Sequence, residues 1–168
     1  MLARAVIVAI WLALLPLDAG AFSRTWLVFF DDGSDEIGPR GEARLAEAAR
    51  YYLDRRAPTD TERRLMSGPL RPGIEIGVLV DAHAQDNVSD QCALSLRRGA
   101  LVRARLAALG IPPDHVVVQP FGDRRLLVQT PPGSTDVQNR RVELWFVDLS
   151  RLPRPAPGRV HVPTRACR

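Results

Sequence analysis

The chain has 168 residues, with 23 basic and 19 acidic side chains, a formal net charge of +4 and a pI near 10.0. Every basic residue other than His is Arg, and no Lys occurs anywhere. A chain of this length suits one domain with a sizeable core and leaves no room for a second, and the surplus of Arg favours anionic surroundings.

At the N-terminus Arg4 precedes an apolar run from Ala5 to Leu17, and Ala19-Gly20-Ala21 supplies the small-x-small pattern of a signal-peptidase site. The apolar run is about thirteen residues, short of the roughly 20 that span a bilayer. Residues 1–21 are therefore expected to be a cleaved signal peptide, with a retained anchor as the alternative. No Cys stands beside the cleavage site to carry a lipid anchor. The expectation is an exported periplasmic domain, associated with the outer membrane or cell wall, without an integral membrane segment in the mature chain. Nucleic acid is excluded as a partner on that ground, leaving cell-wall polymer or an acidic lipid surface.

Trp26 to Phe30 (WLVFF) is a short apolar run that predicts a buried strand, followed by an acidic turn, DDGSDE, in which Asp31 and Asp32 sit. From Pro39, which suits a first helical turn, Leu45, Ala48, Ala49, Tyr52 and Leu53 recur at helical spacing and predict an amphipathic helix ending near Arg56. Residues 57–73 hold three Pro and two Gly and read as a connecting loop. Ile74, Ile76, Val78 and Val80 alternate as a second strand. Leu94, Val102, Leu106 and Leu109 mark a second helix stopped by Gly110 and Pro112. Gly99 inside that helix should cost on the order of 1 kcal/mol relative to Ala unless a neighbour packs closely there. His115 to Gln119 and Arg141 to Val147 predict the third and fourth strands, joined by a long turn-rich connection. Strand, helix, strand, helix, strand, strand implies an α/β fold: a two-layer βαβαββ sandwich with a mixed four-stranded sheet and two helices on one face. The two β-α-β passages are expected to be crossovers between parallel strands. The domain spans residues 22–148, and residues 149–168 form a Pro/Arg-rich tail, expected to be extended and solvated.

Between the second strand and the second helix, VDAHAQDNVSDQC gathers Asp81, His83, Gln85, Asp86, Asp90 and Cys92. His83 as a metal ligand or general base lacks an H-x-x-x-H or C-x-x-C companion pattern, so it reads as a histidine that orients a loop. Cys92 as a nucleophile shows no partner base. It is one of only two cysteines, and an oxidising compartment allows a disulfide with Cys167, with two unpaired thiols as the alternative. Asp90 is placed to cap the second helix.

Three segments in order carry a resemblance. LSLRRGALVRARLAALGI contributes Leu94, Ser95, Arg98, Val102, Leu106, Gly110 and Ile111. PFGD then contributes Gly122-Asp123, and NRRVELWF contributes Asn139, Arg140, Arg141, Val142 and Glu143. Together with the opening VFFDDGSDEIGPRGEARL, these resemble the OmpA-like peptidoglycan-binding domain over residues 26–147. The resemblance implies a non-enzymatic module, without a metal or other cofactor, that binds peptidoglycan non-covalently by gripping the diaminopimelate of its peptide stem. The ammonium and carboxylate at the end of that residue call for an acid and an Arg. The resemblance puts Arg98 at the Arg position. The acid position, which closes a G-H-T-D motif in the family, falls on Gln85 or, one step later, on Asp86. His83, Asn139, Arg140 and Arg141 border the same implied pocket. The alternative is a structural or interaction protein that keeps the fold around a degenerate ligand site and binds a protein partner in the envelope.

Overall fold

A computed structural model of the chain describes residues 25–56 and 75–167. The expected signal peptide and the expected loop at 57–73 lie outside the described residues. Strand β1 is Trp26–Phe29, helix α1 Pro39–Arg56, strand β2 Ile76–His83, helix α2 Gln91–Ala108, strand β3 Val116–Gly122 and strand β4 Arg141–Asp148. Short 3-10 turns at Pro113–His115, Val137–Asn139, Leu149–Arg151 and Arg165–Cys167 link or follow them. Among the described residues no helix is long and apolar enough to cross a membrane.

The strands form one mixed sheet in the order β1-β4-β2-β3. β2 and β3 are parallel neighbours, whereas β4 lies between β1 and β2 and is antiparallel to both. β1 and β2 therefore run in the same direction without touching. Alternation along each strand divides the side chains between two faces. Trp26, Val28, Val78, Val80, Ala82, Val116, Val118, Val142 and Leu144 form a single core with Leu45, Ala48, Ala49 and Tyr52 of α1 and Val102 and Leu106 of α2. Both helices thus cover one face, as the apolar periodicities require.

Local chemistry explains the ends of α2. The Asp90 side chain accepts the amide of Ala93 at 2.8 Å, which satisfies one of the unpaired donors of the first turn. At the other end Gly110 adopts φ 96°, and Gly110 and Ile111 donate to Ala107 and Leu106 in a Schellman pairing. Gly99 has the packing reason the sequence left open: a Cβ there would overlap Val118 Cγ1 and lie 3.2 Å from the Cβ of Ala82. α2 lies this close to the sheet only because that side chain is missing.

Two sequence expectations change. β2 continues through His83, so Asp81 and His83 are strand residues and not part of a loop. The tail is not solvated throughout. Leu152 is buried and occupies the space above Gly77, His161 pairs in parallel with Val118 beyond β3, and Thr164 Oγ1 donates to the carbonyl of Pro120. Cys92 and Cys167 are joined as a disulfide with their Cα atoms 5.4 Å apart, so the tail is fastened to the start of α2.

Candidate functional site

The end of β2, the loop that follows it and the first turns of α2 bring the acid and the Arg together. Asp86 is the acid that faces Arg98. The guanidinium donates from Nη1 to Asp86 Oδ2 and from Nη2 to Oδ1, both at 2.8 Å, and both side chains are fully buried. The other N–H bonds of Arg98 are also committed. Nε donates to the carbonyl of Ser34 at 2.8 Å, Nη2 to that of Asp31 at 3.0 Å and Nη1 to that of His83 at 3.3 Å. All five guanidinium donors have acceptors within the chain. The group also lies 4.9 Å from the ring centroid of Phe30.

Two loops are laced together around this fork. Asp86 Oδ1 accepts the amide of Gly33 at 2.7 Å, and Asp32 accepts both the backbone and the side-chain amide of Asn87. Those two Asn87 bonds hold the Asp32 carboxyl below its ordinary range. Gln91, in the first turn of α2, donates to the carbonyls of Asp86 and Val88 and accepts the amide of Asp86. The sequence offered no signal for Gln91, because an amide at a helix start is ordinary. Only its three contacts reveal that it shapes the loop.

Gln85 does not face Arg98. Its Oε1 accepts from Asn139 Nδ2 at 2.7 Å and from the amide of Asp136, and its Nε2 donates to Thr130 Oγ1. Asn139, buried, accepts the amides of Leu127 and Val128 and donates to the carbonyl of Val128. Gln85 and Asn139 therefore hold the long β3–β4 connection against the end of β2. Arg140 ties that connection to β1, donating to the carbonyl of Phe30 and to Thr135 Oγ1, both at 3.3 Å.

Arg141 and His83 lie on the sheet face away from the helices. Arg141 binds Glu143 Oε1 through Nε and Nη2, at 2.6 and 2.5 Å. The His83 ring stacks on Phe121 with centroids 5.3 Å apart, and its Nε2 is 3.8 Å from Glu143 Oε1. Burial drops the His83 imidazole to about 3, with the charges of Arg141 and Arg125 adding to the fall, so the ring is neutral at pH 7. Among the described residues no three His, Cys, Asp or Glu side chains are grouped to hold a metal ion. Cys92 is in the disulfide and offers no thiol for catalysis.

One open sheet covered on one face by two helices, with a buried charged pair beyond the C-terminal end of β2, defines a small two-layer α/β domain. The chain has the OmpA-like fold, as its motifs implied. Solved structures that match it include the peptidoglycan-associated lipoprotein from Burkholderia pseudomallei, at 19% identity over 72% of this chain and 89% of that one, with a TM-score of 0.54. The C-terminal domain of Helicobacter pylori MotB matches at 18% identity over 76% and 90% of the two chains, with a TM-score of 0.53. The OmpA-like domain of FopA1 from Francisella tularensis matches at 19% identity over 72% and 70%, with a TM-score of 0.50. An outer membrane protein of Gluconacetobacter diazotrophicus is 30% identical over 126 residues, which are 73% of this chain. The chain spans only 30% of the length of that relative. No family model matches the chain.

Proposed function

We propose that this domain is a non-covalent peptidoglycan-binding module of the cell envelope, exported to the periplasm, and that Asp86 and Arg98 grip the diaminopimelate of the peptide stem. The observation that carries this reading is the Asp86–Arg98 fork itself, an acid and a base paired at the end of β2. An amino-acid terminus brings an ammonium and a carboxylate. Inserted between the two side chains, it replaces one ion pair with two, ammonium on Asp86 and carboxylate on Arg98, so every charge stays compensated. The turn that carries Asp31, Gly33 and Ser34 holds the fork closed and moves aside on binding. Gln85, Asn139 and Arg140 brace the loops around the fork rather than gripping the ligand, and the His83 and Arg141 side chains lie on the opposite sheet face. The names of the similar proteins, one peptidoglycan-associated and one an outer membrane protein, support the same envelope setting.

A second reading is favoured by one observation: all five donors of Arg98 are already satisfied within the chain. On that reading the fork staples the loops, and the fold serves contact with an envelope protein. Co-sedimentation with purified sacculi separates the two, using wild type, Asp86→Asn and Arg98→Lys, each first shown to be folded by circular dichroism. The binding reading expects wild type to sediment and the folded variants to lose at least about tenfold in affinity, the loss of a charge-assisted contact. Equal sedimentation of all three, or none by wild type, leaves the second reading.

A further inference from the structure

Residues 149–168 hold five of the 23 Arg and none of the 19 acidic residues. The rest of the chain, with 18 Arg and 19 acids, is close to neutral, so the basic surplus sits in the tail. The fold lays this tail along one edge of the sheet. Leu152 fills the space above Gly77 of β2. Midway along β3 the Val118 amide donates to the carbonyl of Val160, and the Val118 carbonyl accepts the amide of Val162. Thr164 then donates to the carbonyl of Pro120, and Cys167 is joined to Cys92 at the start of α2. Pro153, Pro155 and Pro157 restrict the backbone between these fastenings. The arginines are therefore displayed along the β3 edge on a fixed backbone, which lowers the ordering cost of meeting a partner.

Arg154, Arg159 and Arg165 are exposed, and among the described residues no carboxylate forms an ion pair with any of them. The acids nearest in sequence are engaged elsewhere or lie at the ends of β3. Asp148 accepts from Ser150, Asp123 lies 3.5 Å from Arg124, and Asp114 sits in the turn before the strand. Between Arg154 and Arg165 the chain makes a tight turn, with the Arg159 amide donating to the carbonyl of Ala156 at 3.0 Å and Gly158 at φ 77°. Ala156 to Val160 are five consecutive exposed residues, and Arg159 is the only polar side chain among them. Val160 is 39% exposed. An apolar tip with guanidinium groups beside it suits a bilayer interface, where the tip enters the headgroup layer and the arginines meet phosphates. A soluble polyanion would satisfy the arginines and give Pro157 and Val160 nothing to contact.

We propose that the edge formed by Arg154, the Ala156–Val160 turn and Arg165 docks on an anionic phospholipid surface. A guanidinium matches a phosphate oxygen pair in a two-pronged contact, and each basic side chain near such a surface adds about fivefold in affinity. Attraction of this kind is screened by salt, which makes the docking reversible. The surface shares no residue with the Asp86–Arg98 fork and does not depend on the peptidoglycan reading.

The test is co-sedimentation of the expected mature chain, residues 22–168 with its disulfide intact, with vesicles of phosphatidylglycerol mixed into phosphatidylcholine and with vesicles of phosphatidylcholine alone. Binding to the first and not the second is expected, with release as salt is raised. Arg154→Gln and Arg159→Gln should each weaken binding about fivefold and together about 25-fold. Val160→Ser keeps every charge and should also weaken it. Arg40→Gln with Arg50→Gln removes the same charge from exposed positions of α1, which packs against β1 at the far edge of the sheet, and should leave binding unchanged. Soluble polyglutamate should compete poorly with the vesicles. No binding to phosphatidylglycerol vesicles, an equal loss in the α1 pair, unaltered binding by Val160→Ser, or full competition by polyglutamate would each overturn the proposal.

Discussion

Arg98 and Asp86 form a two-pronged ion pair with both contacts at 2.8 Å and no exposed surface on either side chain. Two loops distant in sequence hang on that pair, because the same guanidinium takes the carbonyls of Asp31 and Ser34 while the same carboxylate takes the amide of Gly33. Removing one partner leaves a buried charge without its counterion. Asp86→Ala is therefore expected to destabilise the domain by about 3–5 kcal/mol, measured by chemical denaturation. In a double-mutant cycle with Arg98→Met the two losses should fall well short of adding.

Asn139 joins three groups of the β3–β4 connection to Gln85 through one side-chain amide. Asn139→Ala removes the acceptor from the half-buried amides of Leu127 and Val128, at about 1 kcal/mol for each hydrogen bond lost. The amides of Leu127 and Val128 should exchange with solvent deuterium much faster in the variant, while those of β2 keep their protection. Gln85→Asp should loosen the same connection, since a carboxylate cannot donate to Thr130.

Gly99→Ala sets helix propensity against packing. The new methyl would improve α2 by about 1 kcal/mol in isolation, but it overlaps Val118 Cγ1 and presses on Ala82. Overpacking of this kind costs about 1–3 kcal/mol, so a lower Tm is expected. A raised Tm in a thermal melt would mean that α2 can shift away from the sheet.

Burial pushes the Asp81 carboxyl up to about 6 from 3.8, with Glu143 adding to the rise. The folded chain holds that proton where the unfolded chain has released it. The contribution of Asp81 to stability is therefore full below pH 3.8 and is lost as pH rises to about 6. His83 works in the opposite sense: its stability contribution is present above pH 6.5 and is lost as pH falls toward about 3. Asp81→Asn should accordingly raise Tm relative to wild type at pH 7.5, with the gain shrinking as the buffer is taken toward pH 4.

The Cys92–Cys167 bridge closes a sequence separation of 75 residues. Under the chain-entropy account such a loop is worth about 4 kcal/mol through the unfolded state. Cys167→Ser should lower the denaturation midpoint and speed tryptic cleavage after Arg159 in the tail, compared with the oxidised protein. Nonreducing mass spectrometry of the wild type should show the mass reduced by two hydrogens.

Much of the fold was legible because its signals are local. The apolar periodicity of α1 marked its buried face and the stop at Gly110 its partner's end, and alternation of Val78 and Val80 marked the core side of β2. The same alternation places Asp81 and His83 on the opposite side, yet their polarity made them read as a loop. Strand pairing resolves this, because backbone bonds to β3 and β4 carry β2 through His83 whatever its side chains are. The insertion of β4 between β1 and β2 is a similar case, since no local property of a strand names its neighbours.

The sequence by itself determined the class of fold, the helix boundaries, the cap at Asp90 and the candidacy of Arg98, because each depends on residues close together in the chain or on a motif read in order. Only the tertiary structure decided that Asp86 and not Gln85 meets Arg98, that Gln85 turns instead to Asn139, and that the tail is fastened to α2 by the disulfide. The physical reason is common to all three. A hydrogen bond or a disulfide between residues far apart in sequence depends on directions and distances within a few tenths of an ångström, and those are set by the packing of the whole sheet against its helices.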